Sequence, residues 1–188
     1  MAPVHAMMPH RVAVGDSVVV VRQLETDDEA VACARIMSSS EPWITLGRDY
    51  ALSLATVRDP AREVYVGVTE GDGEVVGFLI LSMRGAFVGY IQSVGVRDDW
   101  RGRSLGTALI SFAESRIFAE TPNVFICASS FNGRARALYE RLGYEIVGEL
   151  RDYIVRGHSE WLLRKSIAPL ADWTSSRGPL ALLSKRAP

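Results

Sequence analysis

The stretch from Gly89 to Thr107 reads GYIQSVGVRDDWRGRSLGT. Its first half predicts a strand that ends at Val96, and the residues from Ser104 onward predict a helix. Between them lies a loop that carries Arg101, Gly102, Arg103, Ser104 and Gly106. Small residues let the backbone turn tightly and let a ligand approach the amides. The free N–H groups and the dipole at the helix start favour an anion, phosphate above all. Arg101 and Arg103 add positive charge. The same stretch also reads as a solvated loop with two surface arginines. It is not a Walker A loop, because Gly102 to Thr107 lacks the lysine and the spacing of G-x-x-x-x-G-K-[ST]. It is not a dinucleotide fingerprint, because no G-x-G-x-x-G opens a repeated parallel-strand unit.

The elements that position this loop follow from periodicity and breakers. Arg11 to Leu24 predicts a first strand. Thr26 followed by Glu29 is a capping-box pattern and predicts a helix from Asp27 to Met37. The run Ser38 to Pro42 breaks it, and a second helix is expected from Arg48 to Arg58. Val64, Val66 and Val68 alternate, which predicts a strand over Glu63 to Val68. Gly71-Asp72-Gly73 makes a turn into a partner strand, Glu74 to Met83. A strand from Val88 to Val96 leads through the loop into a helix from Ser104 to Glu120, with Leu105, Ala108, Leu109 and Phe112 on its buried face. Asn123 to Ala128 is a short apolar strand. Gly133 to Leu142 is a helix capped by Asn132 and ended by Gly143, with Ala135, Leu138, Tyr139 and Leu142 on one stripe. Strands over Tyr144 to Val155 and Glu160 to Lys165 complete the order. The expected class is α/β of the α+β type: a mixed, largely antiparallel sheet of about six or seven strands with helices on both faces. Residues 1–10 read as a loose leader, 11–168 as one domain, and 169–188 as a tail.

Composition narrows the function. The 188 residues suit a single domain, and 22 acidic against 21 basic residues give a net charge of -1. That balance offers no global attraction to nucleic acid or to an anionic membrane. Hydrophobic residues at 48% and charged residues at 23% match a globular chain. Cys33 and Cys127 with His5, His10 and His158 have no metal-ligand spacing, so no metal is expected. Cys127, on an apolar strand, reads as an inert core residue. No apolar run approaches the roughly 20 residues that span a bilayer, and the expected location is the cytoplasm.

With these residues in hand the chain resembles a known family. Arg101-Gly102-Arg103-Ser104-Leu105-Gly106 is similar to the acyl-CoA pyrophosphate loop [QR]-x-x-G-x-[GA] of the GNAT N-acetyltransferases. Val94-Gly95-Val96 resembles that family's cofactor strand. Asn132 to Tyr144, NGRARALYERLGY, matches the family's N-x-x-A-x-x-L-Y-x-x-x-G-[FY] helix at every specified position. The two motifs stand in the right order, and the element order agrees with the GNAT fold. The resemblance covers Val18 to Ile167. Ser104 departs from it, standing where the loop usually has glycine.

The resemblance implies acetyl transfer from acetyl-CoA to a primary amine, of a small molecule or a peptide, by direct attack in a ternary complex. Two central strands splay, and the pantetheine arm lies between them. Backbone groups of Val94 and Val96, beside Gly95, would pair with that arm. Amides from Arg101 to Thr107 would hold the pyrophosphate, and Asn132 would cap its helix and touch the arm. Amides near Val94 would polarise the thioester carbonyl, worth about 3–4 kcal/mol per donor in other enzymes. Tyr139 is the expected general acid for the departing thiolate. Proton transfer from a phenol to a simple thiolate is uphill by only about 2 kcal/mol. The base is open among Glu41, Asp49, Glu149, Asp152 and a water relay through Gln92 or Tyr90. The loop with Glu41, Pro42, Trp43 and Tyr50 is expected near the acceptor, with Trp43 either lining the site or anchoring the loop. A homodimer through the C-terminal segment is compatible with the sequence. The alternatives are a non-catalytic acyl-CoA sensor and a scaffold that keeps only the fold.

Overall fold

The computed structural model describes residues 7–173. The valine-rich run expected to be one strand folds back on itself. Gly15, at φ +61°, and Asp16 make a tight turn between β1 (His10–Val14) and β2 (Ser17–Gln23). The remaining strands are β3 (Glu63–Thr69), β4 (Val75–Ser82), β5 (Tyr90–Val96), β6 (Asn123–Ser129), β7 (Glu145–Leu150) and β8 (Glu160–Ser166). The helices are α1 (Asp27–Ser38), α2 (Tyr50–Val57), α3 (Leu105–Phe118) and α4 (Gly133–Arg141). The eight strands form one sheet in the order β1-β2-β3-β4-β5-β6-β8-β7. The extra hairpin accounts for the count above six or seven. Every neighbouring pair is antiparallel except β5 and β6, which run parallel because α3 crosses between them.

The strand expected from Tyr144 to Val155 stops at Leu150. Asp152 turns at φ +49° and its carboxylate accepts the Gly157 N–H at 2.5 Å, so the chain loops before it re-enters as β8. Local signals set the other boundaries. Thr26 and Glu29 complete the capping box of α1, and the Glu29 carboxylate also accepts from Arg22 at 2.5 Å. The carboxylate of Asp49 accepts the Leu52 N–H at 2.8 Å and so starts α2.

Helices cover both faces. Along β4, Phe78 and Ile80 point to α1 and α2, where they meet Met37, Trp43 and Val66. Leu79 and Leu81 point the other way, to Leu109 of α3 and to Ile126 and Leu163. A strand buried on both faces must be apolar at consecutive positions, which is how VVGFLILS reads. Each such fully buried Leu, Ile or Phe contributes about 1.5–3 kcal/mol. Arg116 on α3 is a buried cation. It forms a two-bond pair with Glu63, at 2.6 and 2.8 Å, and Tyr65 donates to the same carboxylate at 2.9 Å. Among the described residues no helix is long and apolar enough to cross a membrane.

Gly95 is the most tightly enclosed glycine of the sheet. A Cβ there would sit 2.2 Å from Phe78 Cε1 and 2.7 Å from its Cζ. The Phe78 ring occupies the space that a side chain at residue 95 would need. We expect Gly95→Ala to destabilise by about 1–3 kcal/mol, as overpacked cores do, seen as a lower midpoint in urea unfolding. Adding Phe78→Leu should restore part of that loss, whereas an unchanged midpoint in the single variant would show that the ring can swing aside.

Candidate active site

β5 and β6 pair only at Tyr90 with Phe125 and at Ile91 with Ile126. Beyond those two positions they part. The register of β4 against β5 shifts at the same place, pairing Ile80 with Ser93 but Leu81 with Ile91, so Gln92 is an extra residue in β5. Such a bulge bends and twists its strand. From there to Val96, β5 keeps a partner only in β4. The Arg97 N–H donates to the Val76 carbonyl of β4 at 2.9 Å. By strand alternation the amide and carbonyl of Val96, and those of Val94, point away from β4 into the gap. The Val96 carbonyl there accepts from Arg101 Nε at 3.2 Å.

The loop after β5 is held by its own charges. Arg97 pairs with Asp99 at 2.7 Å and with Glu74 at 2.9 Å. A short 3-10 turn over Asp98–Trp100 buries the Trp100 ring. Arg101 pairs with Asp98 at 2.8 Å, and the Arg103 guanidinium lies 5.3 Å from the Trp100 ring centroid. Both arginines therefore brace the loop. Gly102 and Ser104 both take positive φ, +77° and +68°. Serine thus adopts the left-handed conformation despite its side chain. No side chain caps α3. The first intrahelical bond from the start of the helix is Ala108 N–H to the Ser104 carbonyl at 3.1 Å, which leaves the amides of Leu105, Gly106 and Thr107 to an outside acceptor. The Leu105 side chain is in the core, so only its backbone faces the loop. Gly106 is not needed for packing, since a Cβ there would find nothing nearer than Val96 Cγ2 at 3.8 Å.

The gap and the loop belong to one cleft of about 960 Å³. Val94, Gly95, Val96, Arg101, Gly102, Ser104, Leu105, Gly106, Thr107, Asn132 and Tyr139 all line it. Arg103 does not; its side chain stays on Trp100. The side chain of Asn132 accepts the Ala135 N–H at 3.1 Å as the cap of α4. Tyr139 is only 6% exposed, with its ring 6.0 Å from that of Tyr144. Burial, with lesser help from Cys127 and Glu160, holds its phenol well above the ordinary tyrosine range. Gly95 lines the cleft but owes its identity to Phe78.

The remaining candidates separate clearly. Glu41, Pro42 and Trp43 line the cleft, while Tyr50 does not. Trp43 is buried, with its ring 5.7 Å from that of Phe78, so it anchors its loop in the core as it lines the site. Of the four carboxylates weighed as bases only Glu41 reaches the cleft, and it already accepts from the Thr45 hydroxyl at 3.0 Å. Asp49 caps α2, Asp152 closes its turn, and Glu149 pairs with Arg151 at 3.2 Å. A different carboxylate, Glu160, lines the cleft and is 3% exposed. Sequence reading passed over it as the first residue of a strand. Its burial arises from the pairing with Ser129 across β6 and β8, for which no local pattern exists. Cys127 is not in the core: it is half-buried, lines the cleft and is a hydrogen-bond partner of Tyr90. Among the described residues no three His, Cys, Asp or Glu side chains group as metal ligands.

Comparison with known proteins gives a consistent picture. A family model described as "Acetyltransferase (GNAT) family" matches residues 21–144. An N-alpha-acetyltransferase of Sulfurisphaera tokodaii is 30% identical over 110 residues, 51% of this chain and 65% of that protein. An L-methionine sulfoximine/L-methionine sulfone acetyltransferase of Pseudomonas paraeruginosa is 35% identical over 97 residues, 48% of this chain and 56% of that protein. The chain thus spans between about half and two thirds of the length of these curated relatives. Among solved structures, an aminoglycoside 6'-N-acetyltransferase complexed with coenzyme A superposes with a TM-score of 0.61 at 17% identity, over 79% of this chain and 97% of that one. That likeness is one of fold.

Neither thiol is activated. Burial pushes Cys33 up to about 12, and it raises Cys127 as well against the Tyr90 hydrogen bond that lowers it. At neutral pH both stand as thiols, and the reactive thiolate is scarce. Iodoacetamide at pH 7.5 is expected to label Cys127 before Cys33, and each more than ten-fold slower than a free thiol, as followed by mass spectrometry. Labelling of Cys127 at the rate of a free thiol would show that the cleft is more open and more polar than its burial indicates.

Proposed function

The chain belongs to the GNAT acetyltransferase family, and we propose that it is an N-acetyltransferase that moves an acetyl group from acetyl-CoA to a primary amine by direct attack in a ternary complex. The observation that carries this reading is the open edge of β5 running into the uncapped start of α3. A thioester donor with a long amide-bearing arm and a pyrophosphate needs those two features end to end. The residues present suit it. Val94 offers its strand-edge N–H and carbonyl to the amides of the arm, and Val96 offers its N–H beside a carbonyl that Arg101 already holds. The N–H groups of Leu105, Gly106 and Thr107 offer an anion site, deepened by the empty space at Gly106. The bound donor supplies an activated acyl carbon and a thiolate leaving group.

The chain's own residues would do the rest. An amide of β5 near the bulge stabilises negative charge on the carbonyl oxygen. Tyr139 holds a proton on its phenol at every physiological pH, because burial disfavours the tyrosinate, and gives it to the departing sulfur. The cleft wall of Glu41, Pro42 and Trp43 bounds the side from which the acceptor enters. One curated relative is named an N-alpha-acetyltransferase and another an L-methionine sulfoximine/L-methionine sulfone acetyltransferase, which supports a primary amine as the acceptor class.

Three measurements test this. Acetyl-CoA and CoA should raise the melting temperature by several degrees at about 100 times Kd, and NAD at the same concentration should not. Gly106→Ala should keep or raise stability, since alanine is the better helix former and its methyl would meet nothing nearer than 3.8 Å, yet weaken acetyl-CoA binding at least ten-fold. Equal binding by that variant would remove the start of α3 from the donor site. Tyr139→Phe should lower kcat by about 10²–10⁴ while acetyl-CoA binds within a few-fold of normal. A kcat unchanged at saturation would show that the sulfur takes its proton elsewhere.

A further inference from the structure

Glu160 is the most heavily buried carboxylate of the described residues, and its placement is unusual. It starts β8 directly opposite Ser129, whose side chain donates to it. Its Oε1 is buried and has no hydrogen-bond partner in the protein. An unmet acceptor in the interior is costly, and more so when it carries charge. Gln92, the bulge residue of β5, lines the same cleft and has a buried Oε1 that is also unpartnered. Two orphaned acceptors in one cleft call for a ligand that brings several N–H donors and a positive charge.

Strand alternation says from which side. Cys127 and Ser129 of β6 share a face with Glu160, while Ile126, Ala128 and Leu163 pack on the opposite face toward α3 and α4. Glu160 therefore approaches the gap from the face covered by α1 and the Glu41–Trp43 turn. Tyr139 approaches from the α4 face. One cleft thus holds a carboxylate on one side of the gap and a phenol on the other.

We propose that Glu160 is the catalytic base: it receives the acceptor as a primary ammonium ion, with Gln92 Oε1 holding a second N–H, and takes the ammonium proton. This rests on the acetyl-transfer reading above. The step balances as follows. The ammonium gives one proton to the Glu160 carboxylate. The neutral nitrogen forms a bond to the acyl carbon, and the carbon–sulfur bond breaks. The sulfur leaves with the electron pair and takes the Tyr139 proton; the tyrosinate recovers the proton that the new amide nitrogen sheds. Glu160 returns its proton to solvent, so one proton is released per turnover. Glu160 thus fills the role of base that the sequence leaves open.

The groups facing Glu160 are Tyr90 on β5, Cys127 and Ser129 on β6, Tyr139 on α4, and His158 just before β8; β7 places Leu150 opposite it. Burial raises its carboxyl above the ordinary range, against the Ser129 hydrogen bond and His158, which lower it. Since the base must be ionised, kcat/KM should fall as pH drops through that raised value. The sign for stability is opposite. A carboxyl raised in the folded state favours folding when protonated and loses that stability as pH rises.

The experiment uses the full chain, acetyl-CoA and a panel of polyamines, amino-acid derivatives and peptides with free N-termini, with CoA release as the readout. For the best acceptor, Glu160→Gln should lower kcat/KM about 100-fold or more and abolish the acid limb that wild type shows. With hydroxylamine, which is neutral at assay pH, the same variant should lose no more than a few-fold. It should melt higher than wild type at pH 8, with the gap closing on acidification, and bind acetyl-CoA normally. Ser129→Ala, which removes a donor to the carboxylate, should move the acid limb to higher pH; this arm decides the matter if Glu160→Gln does not fold. Transfer within two-fold of wild type by Glu160→Gln, or an acid limb unmoved in Ser129→Ala, overturns the role of Glu160 alone. Wild-type protein that binds acetyl-CoA but releases no CoA with any amine overturns the transferase reading and this one with it.

Discussion

The structure turns on two parallel strands that stop pairing. Backbone N–H and C=O groups in a protein interior are almost always bonded, because leaving them unmet costs as much as losing a hydrogen bond. β5 and β6 meet for only two residue pairs and then leave one edge of β5 open through Val96. The bulge at Gln92 twists β5 at the point of parting, and the buried Trp100 fixes the turn that carries the chain into α3. The sheet is continuous on either side, through β4 and through β8, so the opening is held by a rigid frame. What fills it must carry amide-like donors and acceptors along its length. That requirement is the link from topology to chemistry.

The floor of the cleft has a common electrostatic character. Tyr90, Tyr139, Cys127 and Glu160 all have their proton affinities raised, and burial is the largest cause for each. The site therefore favours neutral forms, and any charge that develops in it is felt strongly at low dielectric. The contrast with Arg116 is instructive. That cation is as buried as Glu160, but Glu63 and Glu120 bond to it and Tyr65 braces Glu63. A satisfied buried charge belongs to the architecture. A buried carboxylate with an open oxygen facing a cleft does not, and the cost it imposes on the fold marks it as a functional group.

Much of this was legible in the sequence. The loop and the tyrosine helix are written in contiguous residues, and residues of both line one cleft. The four helices were visible because capping residues and 3.6-residue periodicity are local. Three features were not. The β1–β2 turn hides in a valine run because Gly15-Asp16 interrupts it by only two residues. The end of β7 at Leu150 depends on a turn closed by Asp152, which looks like any polar residue in a strand of mixed pattern. Glu160 escaped because its partner Ser129 is 31 residues away, and only the β6–β8 register brings them together. Ser104 lies between these cases: its motif position was plain, but its left-handed backbone, which glycine adopts at less cost, appears only in the fold.

The glycines along β5 and at the start of α3 show how structural and functional demands can be told apart at single residues. Gly95 and Gly89 have neighbours closer than any Cβ tolerates: Phe78 at 2.2 Å for one, Ile117 at 2.5 Å and the Asn123 carbonyl at 2.7 Å for the other. The protein itself forbids a side chain there, and no ligand need be invoked. Gly106 has empty space where a Cβ would stand and an ordinary helical backbone, which alanine adopts more readily than glycine. Folding gives no reason for glycine at that position. It sits one residue into α3, beside amides that nothing in the protein accepts from, at the end of the open β5 edge. A residue that weakens its helix and frees no clash within the protein is explained by something outside the chain that must come close.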